Sequence, residues 1–213
     1  MLIKLVRAIF VRLLVAIRVF VLRKYFHKRI SEIFEICSYH DLTLWCDYGT
    51  LLGLVRNAKT LPFDADVDLA FICSSPSSID KFISTYAQLG YKVIAIATDV
   101  ADKKIYKVKL EKNFVVFDVS IFYQHYGKND FNYFTLLETE RGWFQRFIKF
   151  SGIKSCDVGG VKMILPKDPF DTLVNHYGPT FQKPCPNWRQ VDSHDLGSTE
   201  FFVEIKYNNF WRF

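Results

Sequence analysis

An α+β fold, a mixed sheet backed by helices, is predicted by three observations. Apolar runs of strand length alternate with helix-start signals between residues 43 and 123. Residues 104–111 and 114–123 read as two strands joined by a Lys112-Asn113 turn, so part of the sheet is antiparallel. The 213 residues, half of them hydrophobic and rich in Phe and Tyr, suffice for one full core, and neither repeats nor low-complexity segments appear.

The first element is a helix over residues 1–38, with apolar periodicity through Ile33, Phe34 and Ile36 carrying it to about Tyr39. Lys4, Arg7, Arg12, Arg18, Arg23, Lys24, Lys28 and Arg29 all precede the first acidic residue, Glu32. Of the net charge of +6, these eight account for more than the whole, since the remainder holds 20 basic against 22 acidic residues. That distribution argues against a nucleic-acid partner. On a helical wheel Lys4, Arg7, Arg18 and Arg29 fall within roughly 60°, with Arg12 and Arg23 about 100° round, leaving Leu, Ile, Val and Phe to fill the rest. A membrane span is excluded, because Arg12 and Arg18 interrupt the segment and its longest uncharged stretch, residues 13–17, is far short of about 20 residues. A secretory signal fails for the same reason. The expectation is a basic amphipathic helix lying on an anionic membrane surface, the alternative being a helix packed on the domain or on a second subunit.

A strand over 43–47 follows, then a short helix after Gly49 and an acidic strand over 64–73. Ser75-Pro76 starts a helix that ends near Gly90, and a strand over 91–97 leads into the hairpin. Residues 126–160 read as mixed and loop-rich, with Gly159-Gly160 turning into a strand over 161–165. Asp168 or Pro169 begins a helix that stops at Gly178-Pro179, and Pro184-Cys185-Pro186 marks an irregular stretch. The chain thus divides into the helix of 1–38, a catalytic domain of 39–195 and a tail of 196–213.

Chemistry concentrates in Asp64-Ala65-Asp66-Val67-Asp68. In an extended strand the three carboxylates share one face, where they repel one another unless cations sit among them; hard oxygen ligands of this kind suit Mg²⁺ or Mn²⁺. A merely solvated edge is disfavoured by the apolar run Ala70-Phe71-Ile72-Cys73 that continues the strand. An EF-hand is excluded, because its sixth place holds Leu69 rather than Gly and its twelfth holds Ser75 rather than Glu. Upstream, Gly49 and Gly53 bracket a strand-to-helix entry where phosphate oxygens could approach backbone N–H groups, with Thr50 as cap and phosphate contact. Arg56 follows, suited to a phosphate or to one of the carboxylates, or else an ordinary surface arginine. Asp118 interrupts the apolar strand of 114–123, so it faces metal or a cation, or pairs with Lys107 or Lys109 on the neighbouring strand.

These residues resemble the paired signatures of the LicD and fukutin-like phosphotransferases, relatives of the DNA polymerase beta type of nucleotidyltransferase. The likeness rests on Trp45, on residues 47–56 (Asp-Tyr-Gly-Thr-Leu-Leu-Gly-Leu-Val-Arg) and on Pro62-Phe63-Asp64-Ala65-Asp66-Val67-Asp68, where Phe63 stands in place of the usual Trp. Pro166-Lys167-Asp168-Pro169, Tyr177-Gly178-Pro179 and the stretch from Arg189 to His194 resemble the family's C-terminal pattern. The resemblance implies a nucleotidyltransferase-like α+β fold in which Asp66, Asp68 and Asp118 hold Mg²⁺ (or Mn²⁺), Asp64 supports that cluster, and Gly49, Thr50, Gly53 and Arg56 steady the donor. It implies metal-dependent transfer of a phosphorylated alcohol, phosphocholine or ribitol phosphate in type, from a CDP-linked donor to a sugar hydroxyl of a cell-surface glycan or glycolipid, as in lipopolysaccharide or teichoic acid synthesis. The alternatives are a nucleotidyltransferase that keeps the nucleoside monophosphate of a triphosphate, and a catalytically silent membrane-bound partner protein.

Cys37, Cys46, Cys73, Cys156 and Cys185 form no metal-ligand spacing, and their odd number and apolar settings point to reduced, buried thiols. A cytoplasmic protein, peripheral on the inner face of the membrane, is the simplest account, with a Golgi-type lumen as the alternative. The histidines are scattered; His176, beside Tyr177 near a helix end, reads as capping, packing or a substrate contact.

Overall fold

The computed structural model describes residues 2–126, 132–185 and 196–207. The chain opens with helix α1 (Leu2–His40), followed by β1 (Leu44–Cys46), α2 (Tyr48–Asn57), β2 (Asp66–Cys73), α3 (Pro76–Gln88) and β3 (Lys92–Asp99). The hairpin of β4 (Ile105–Lys112) and β5 (Val115–Gln124) comes next, then β6 (Tyr133–Thr139), β7 (Gly142–Ile148), β8 (Ile153–Val158) and β9 (Val161–Pro166). Helix α4 (Pro169–Tyr177) and strands β10 (Leu196–Phe201) and β11 (Val203–Tyr207) complete it.

Nine strands form one sheet, whose main path runs β10-β7-β6-β5-β4-β3-β11, with β2 joined to β5 and β1 to β2. The β2–β5 pairing is parallel and the others are antiparallel, so the sheet is mixed. Strands β8 and β9 form a separate two-stranded ribbon. Together these make the expected α+β architecture.

Helix α1 departs from the expected division of the chain at residue 38. Leu22, Phe26, Ile30, Ile33 and Cys37 recur at helical spacing and are buried in one cluster with Val67, Leu69 and Phe71 of β2, Val115, Phe117 and Val119 of β5, and Met163 and Leu165 of β9. Tyr86 of α3 donates its hydroxyl to the Ile33 carbonyl at 2.9 Å and lies 2.9 Å from Cys37 Sγ, fixing α3 to α1. The second half of α1 is therefore core, whereas residues 6–13 are exposed among the described residues. Among the described residues no helix is long and apolar enough to cross a membrane.

Two other expectations change. Residues 126–160, read as loop-rich, contain β6, β7 and β8, and the tail of 196–213 contributes β10 and β11, which pair with β7 and β3. Of the cysteines, Cys37, Cys46 and Cys73 are buried, whereas Cys156 is half-buried and Cys185 is exposed, so burial does not extend to all five thiols.

Candidate active site

Alternation along β2 decides where the acidic residues go. Val67, Leu69 and Phe71 face α1 and α3, which leaves Asp66 and Asp68 on the opposite face of the sheet. The parallel register sets Asp68 beside Asp118 of β5, and ligand oxygens of Asp66, Asp68 and Asp118 lie within 4.8 Å of one another. Asp64 stands in the turn before β2 rather than on the strand, its N–H donating to the Leu61 carbonyl at 3.3 Å.

The electrostatics of this cluster are divided. Burial, then the neighbouring Asp66 charge, pushes the Asp64 carboxyl up to about 6. Asp66 is raised by burial and by Asp118, and Asp68 is raised well above the ordinary range by burial and by Asp66 and Asp118. Burial also acts on Asp118, but Lys107 and Lys109 outweigh it and hold that carboxyl low. Their ammonium groups lie 3.1 and 3.0 Å from Asp118 Oδ2, while Oδ1 is buried with no hydrogen-bond partner among the described residues. Three crowded carboxylates with one unpartnered buried oxygen fit a hard divalent cation bound through oxygen. The lysine pairing thus uses one oxygen of Asp118 and leaves the second over.

The segment leading into α2 serves this cluster differently from expectation. Asp47, not Thr50, is the N-cap, its Oδ1 accepting from Tyr48 N at 2.9 Å. Gly49 N donates to Asp68 Oδ2 at 3.0 Å, and a Cβ at Gly49 would approach that oxygen to 2.8 Å, so the glycine admits the carboxylate. Thr50 is buried and its Oγ1 accepts from Asp68 N at 2.8 Å, tying α2 to β2. A Cβ at Gly53 would collide with the Lys59 carbonyl, which makes this glycine a close-packing residue. Arg56 donates from Nε to the Phe181 carbonyl at 2.7 Å and from a terminal nitrogen to the carbonyls of Phe181 and Lys183. Its guanidinium anchors the chain after α4 instead of reaching a carboxylate.

A second layer escapes sequence reasoning. His176 of α4 is fully buried, with Nε2 2.9 Å from Asp47 Oδ1, and its ring stacks on Tyr48 at 5.0 Å. The Arg146 guanidinium from β7 sits 4.8 Å from the centre of the same Tyr48 ring. Tyr48 itself has φ 43°, in the left-handed region that a bulky residue rarely adopts. Asp47 and His176 are 129 positions apart, so no local pattern joins them; the only signal is a polar residue directly before the Gly49 turn and a histidine within an apolar helix.

The acidic cluster, with Tyr48, Gly49 and Arg56, borders a cavity of about 1230 Å³, whose walls include Asp64, Asp66, Asp68, Asp118, Lys107 and Arg146. Phe63 stands at its margin, almost wholly exposed. Asp168, within the expected C-terminal pattern, is the N-cap of α4, and Gly178 ends that helix. The stretch from Arg189 to His194 lies outside the described residues.

The profile of the LicD/FKTN/FKRP nucleotidyltransferase domain matches residues 41–168. The chain is 23% identical over 154 residues to the uncharacterized protein RP689 of Rickettsia prowazekii, covering 71% of this chain and 53% of that protein. It is 24% identical over 151 residues to the uncharacterized protein RT0683 of Rickettsia typhi, covering 71% and 45%. The chain therefore spans about half the length of these relatives. The solution structure of the antibiotic-resistance factor ANT(2'')-Ia overlaps it with a TM-score of 0.46 at 14% identity, covering 78% of this chain and 77% of that one. A crystal structure of ANT(2'')-Ia with adenylyl-2''-tobramycin gives 0.44 at 15% identity, covering 76% and 79%.

Proposed function

The chain belongs to the LicD/FKTN/FKRP family through its nucleotidyltransferase domain, and on that premise we propose a metal-dependent transferase that moves a phosphorylated alcohol from a CDP-linked donor to a sugar hydroxyl of a glycan or glycolipid. Phosphocholine and ribitol phosphate are the types of group carried. The observation that supports the reading is the gathering of Asp66, Asp68 and Asp118 within 4.8 Å on the wall of a large cavity.

Asp66, Asp68 and Asp118 would hold Mg²⁺ or Mn²⁺, with Asp64 at the edge of the group. When bound, the ion supplies charge compensation for the pyrophosphate and the transferring phosphoryl group. The protein's own residues fix the geometry. Lys107 and Lys109 hold one oxygen of Asp118, which leaves the other for the cation. Gly49 N and Thr50 Oγ1 fix the carboxylate and the backbone of Asp68. Arg146, on the cavity wall, holds its guanidinium against the Tyr48 ring and so braces the start of α2 beside the cluster. In the transfer itself the acceptor oxygen bonds to the phosphorus distal to the nucleoside, the P–O bond to CMP breaks, and the hydroxyl proton is released.

The test is to incubate the protein with a panel of CDP-linked alcohols, a glycan acceptor and Mg²⁺ or Mn²⁺. Release of CMP that stops in excess chelator is expected. Release of pyrophosphate from a nucleoside triphosphate, with no CMP from any CDP-linked donor, would overturn the reading in favour of nucleotidyl transfer.

A further inference from the structure

The first half of α1 carries a second apolar stripe that the described residues of the domain leave exposed. Val6, Leu13, Ile17 and Phe20 recur at spacings of seven, four and three, so they share a helix face, and they are 58%, 58%, 41% and 66% exposed. The packed stripe of Leu22, Phe26, Ile30, Ile33 and Cys37 lies about 160° away at 3.6 residues per turn. The exposed stripe therefore looks away from the core.

Its surroundings narrow what can cover it. Arg7, Arg12, Arg23 and Lys24 are exposed beside or beyond the stripe, and no acidic residue precedes Glu32. A second copy of this helix would bring like charges together with no acidic flank to pair them, whereas an anionic lipid leaflet complements both the apolar stripe and the basic flanks. The position of the helix adds a direction. Arg18 donates to Glu111 at 3.4 Å, and Glu111 is level with Val116, which is level with Asp66. Residues 6–13, all exposed, thus run beyond the end of the sheet at which the acidic cluster begins.

We propose that the stripe from Val6 to Phe20 inserts shallowly into an anionic lipid leaflet, with its arginines on the headgroups. Binding to the leaflet is independent of the reaction catalysed; only its purpose, holding the cavity near a lipid-linked acceptor, rests on the transferase reading.

Sedimentation of the full chain with vesicles tests it without any turnover. Binding is expected to vesicles of phosphatidylglycerol and phosphatidylcholine in equal parts, and to weaken with phosphatidylcholine alone or with added salt. Replacing Arg7 and Arg12 by Gln should weaken binding about thirtyfold, roughly fivefold for each basic residue removed. Leu13→Glu with Ile17→Glu should abolish binding and leave the melting temperature unchanged, since both side chains are exposed. Wild-type protein that stays in the supernatant with the anionic vesicles would overturn the proposal. So would a concentration-dependent dimer in analytical ultracentrifugation that the Leu13→Glu, Ile17→Glu protein fails to form, because the stripe would then be an interface between copies.

Discussion

Changing Asp118 to Asn removes one negative charge from a position that two lysines and two aspartates surround. At an effective dielectric of about 20, a unit pair at about 3 Å contributes about 5 kcal/mol and one at about 4.8 Å about 3.5 kcal/mol. Lys109 is one-third exposed, so screening reduces its share to about 1 kcal/mol. The attractions to lysine, about 6 kcal/mol, and the repulsions from Asp66 and Asp68, about 7 kcal/mol, then nearly offset, and the stability of the metal-free protein should change by no more than about 1 kcal/mol. For a chain of this size that is a shift of at most about 2–4 °C in Tm. With a divalent cation present the repulsive half of the balance disappears and the charge of Asp118 becomes favourable. Thermal unfolding in chelator and in Mn²⁺ separates the two conditions: wild type should gain several degrees from Mn²⁺ and Asp118→Asn almost none, while turnover falls by about a hundredfold or more. If the variant gains as many degrees from Mn²⁺ as wild type, and its turnover stays within about threefold, Asp118 is a structural partner of the lysines and the metal assignment fails.

The raised carboxyls set a pH dependence. Asp64, Asp66 and Asp68 bind protons more tightly folded than unfolded, so in chelator stability should decline as pH rises from 3.8 toward about 6, and the gain from Mn²⁺ should grow over the same interval; stability rising through that window would contradict the shifts. His176→Phe keeps a ring against Tyr48 but removes one of the two partners of Asp47 Oδ1, the other being Tyr48 N, which should cost about 2–3 kcal/mol in denaturant unfolding; an unchanged midpoint would show that the contact contributes nothing. Gly53→Ala drives a methyl against the Lys59 carbonyl and should cost about 1–3 kcal/mol, so a variant as stable as wild type would mean that the loop yields freely.

Much of the acidic site is legible in the sequence because it depends on short-range rules. Period two along β2 gives the shared face of Asp66 and Asp68, and a single aspartate in the apolar run of β5 marks Asp118. Asp64 is misplaced by the same rule, since nothing in the alternation shows that the strand starts two residues later. Gly53 and Arg56 belong to α2, but their partners, Lys59 and the chain at Phe181 and Lys183, are set by packing that the helix itself does not encode. Strands β6 and β7 carry Thr, Glu, Gln and Arg among their aromatics and are joined by Glu140-Arg141 rather than by a glycine turn, so they lack the usual punctuation. Helix α1 shows its charges plainly, and these draw attention from the second stripe, Leu22 to Cys37, that makes half of it core.

Tyr48 illustrates a conflict that any redesign of this protein would meet. A residue at φ 43° is one that backbone energetics would assign to glycine, and a search for greater stability would propose that exchange early. Glycine would relax the backbone, yet it would also remove the ring that both Arg146 and His176 lie against and leave a gap beside the cavity wall. Stability and the shape of the site pull this position in opposite directions, and a sequence optimised for the first alone would lose the second.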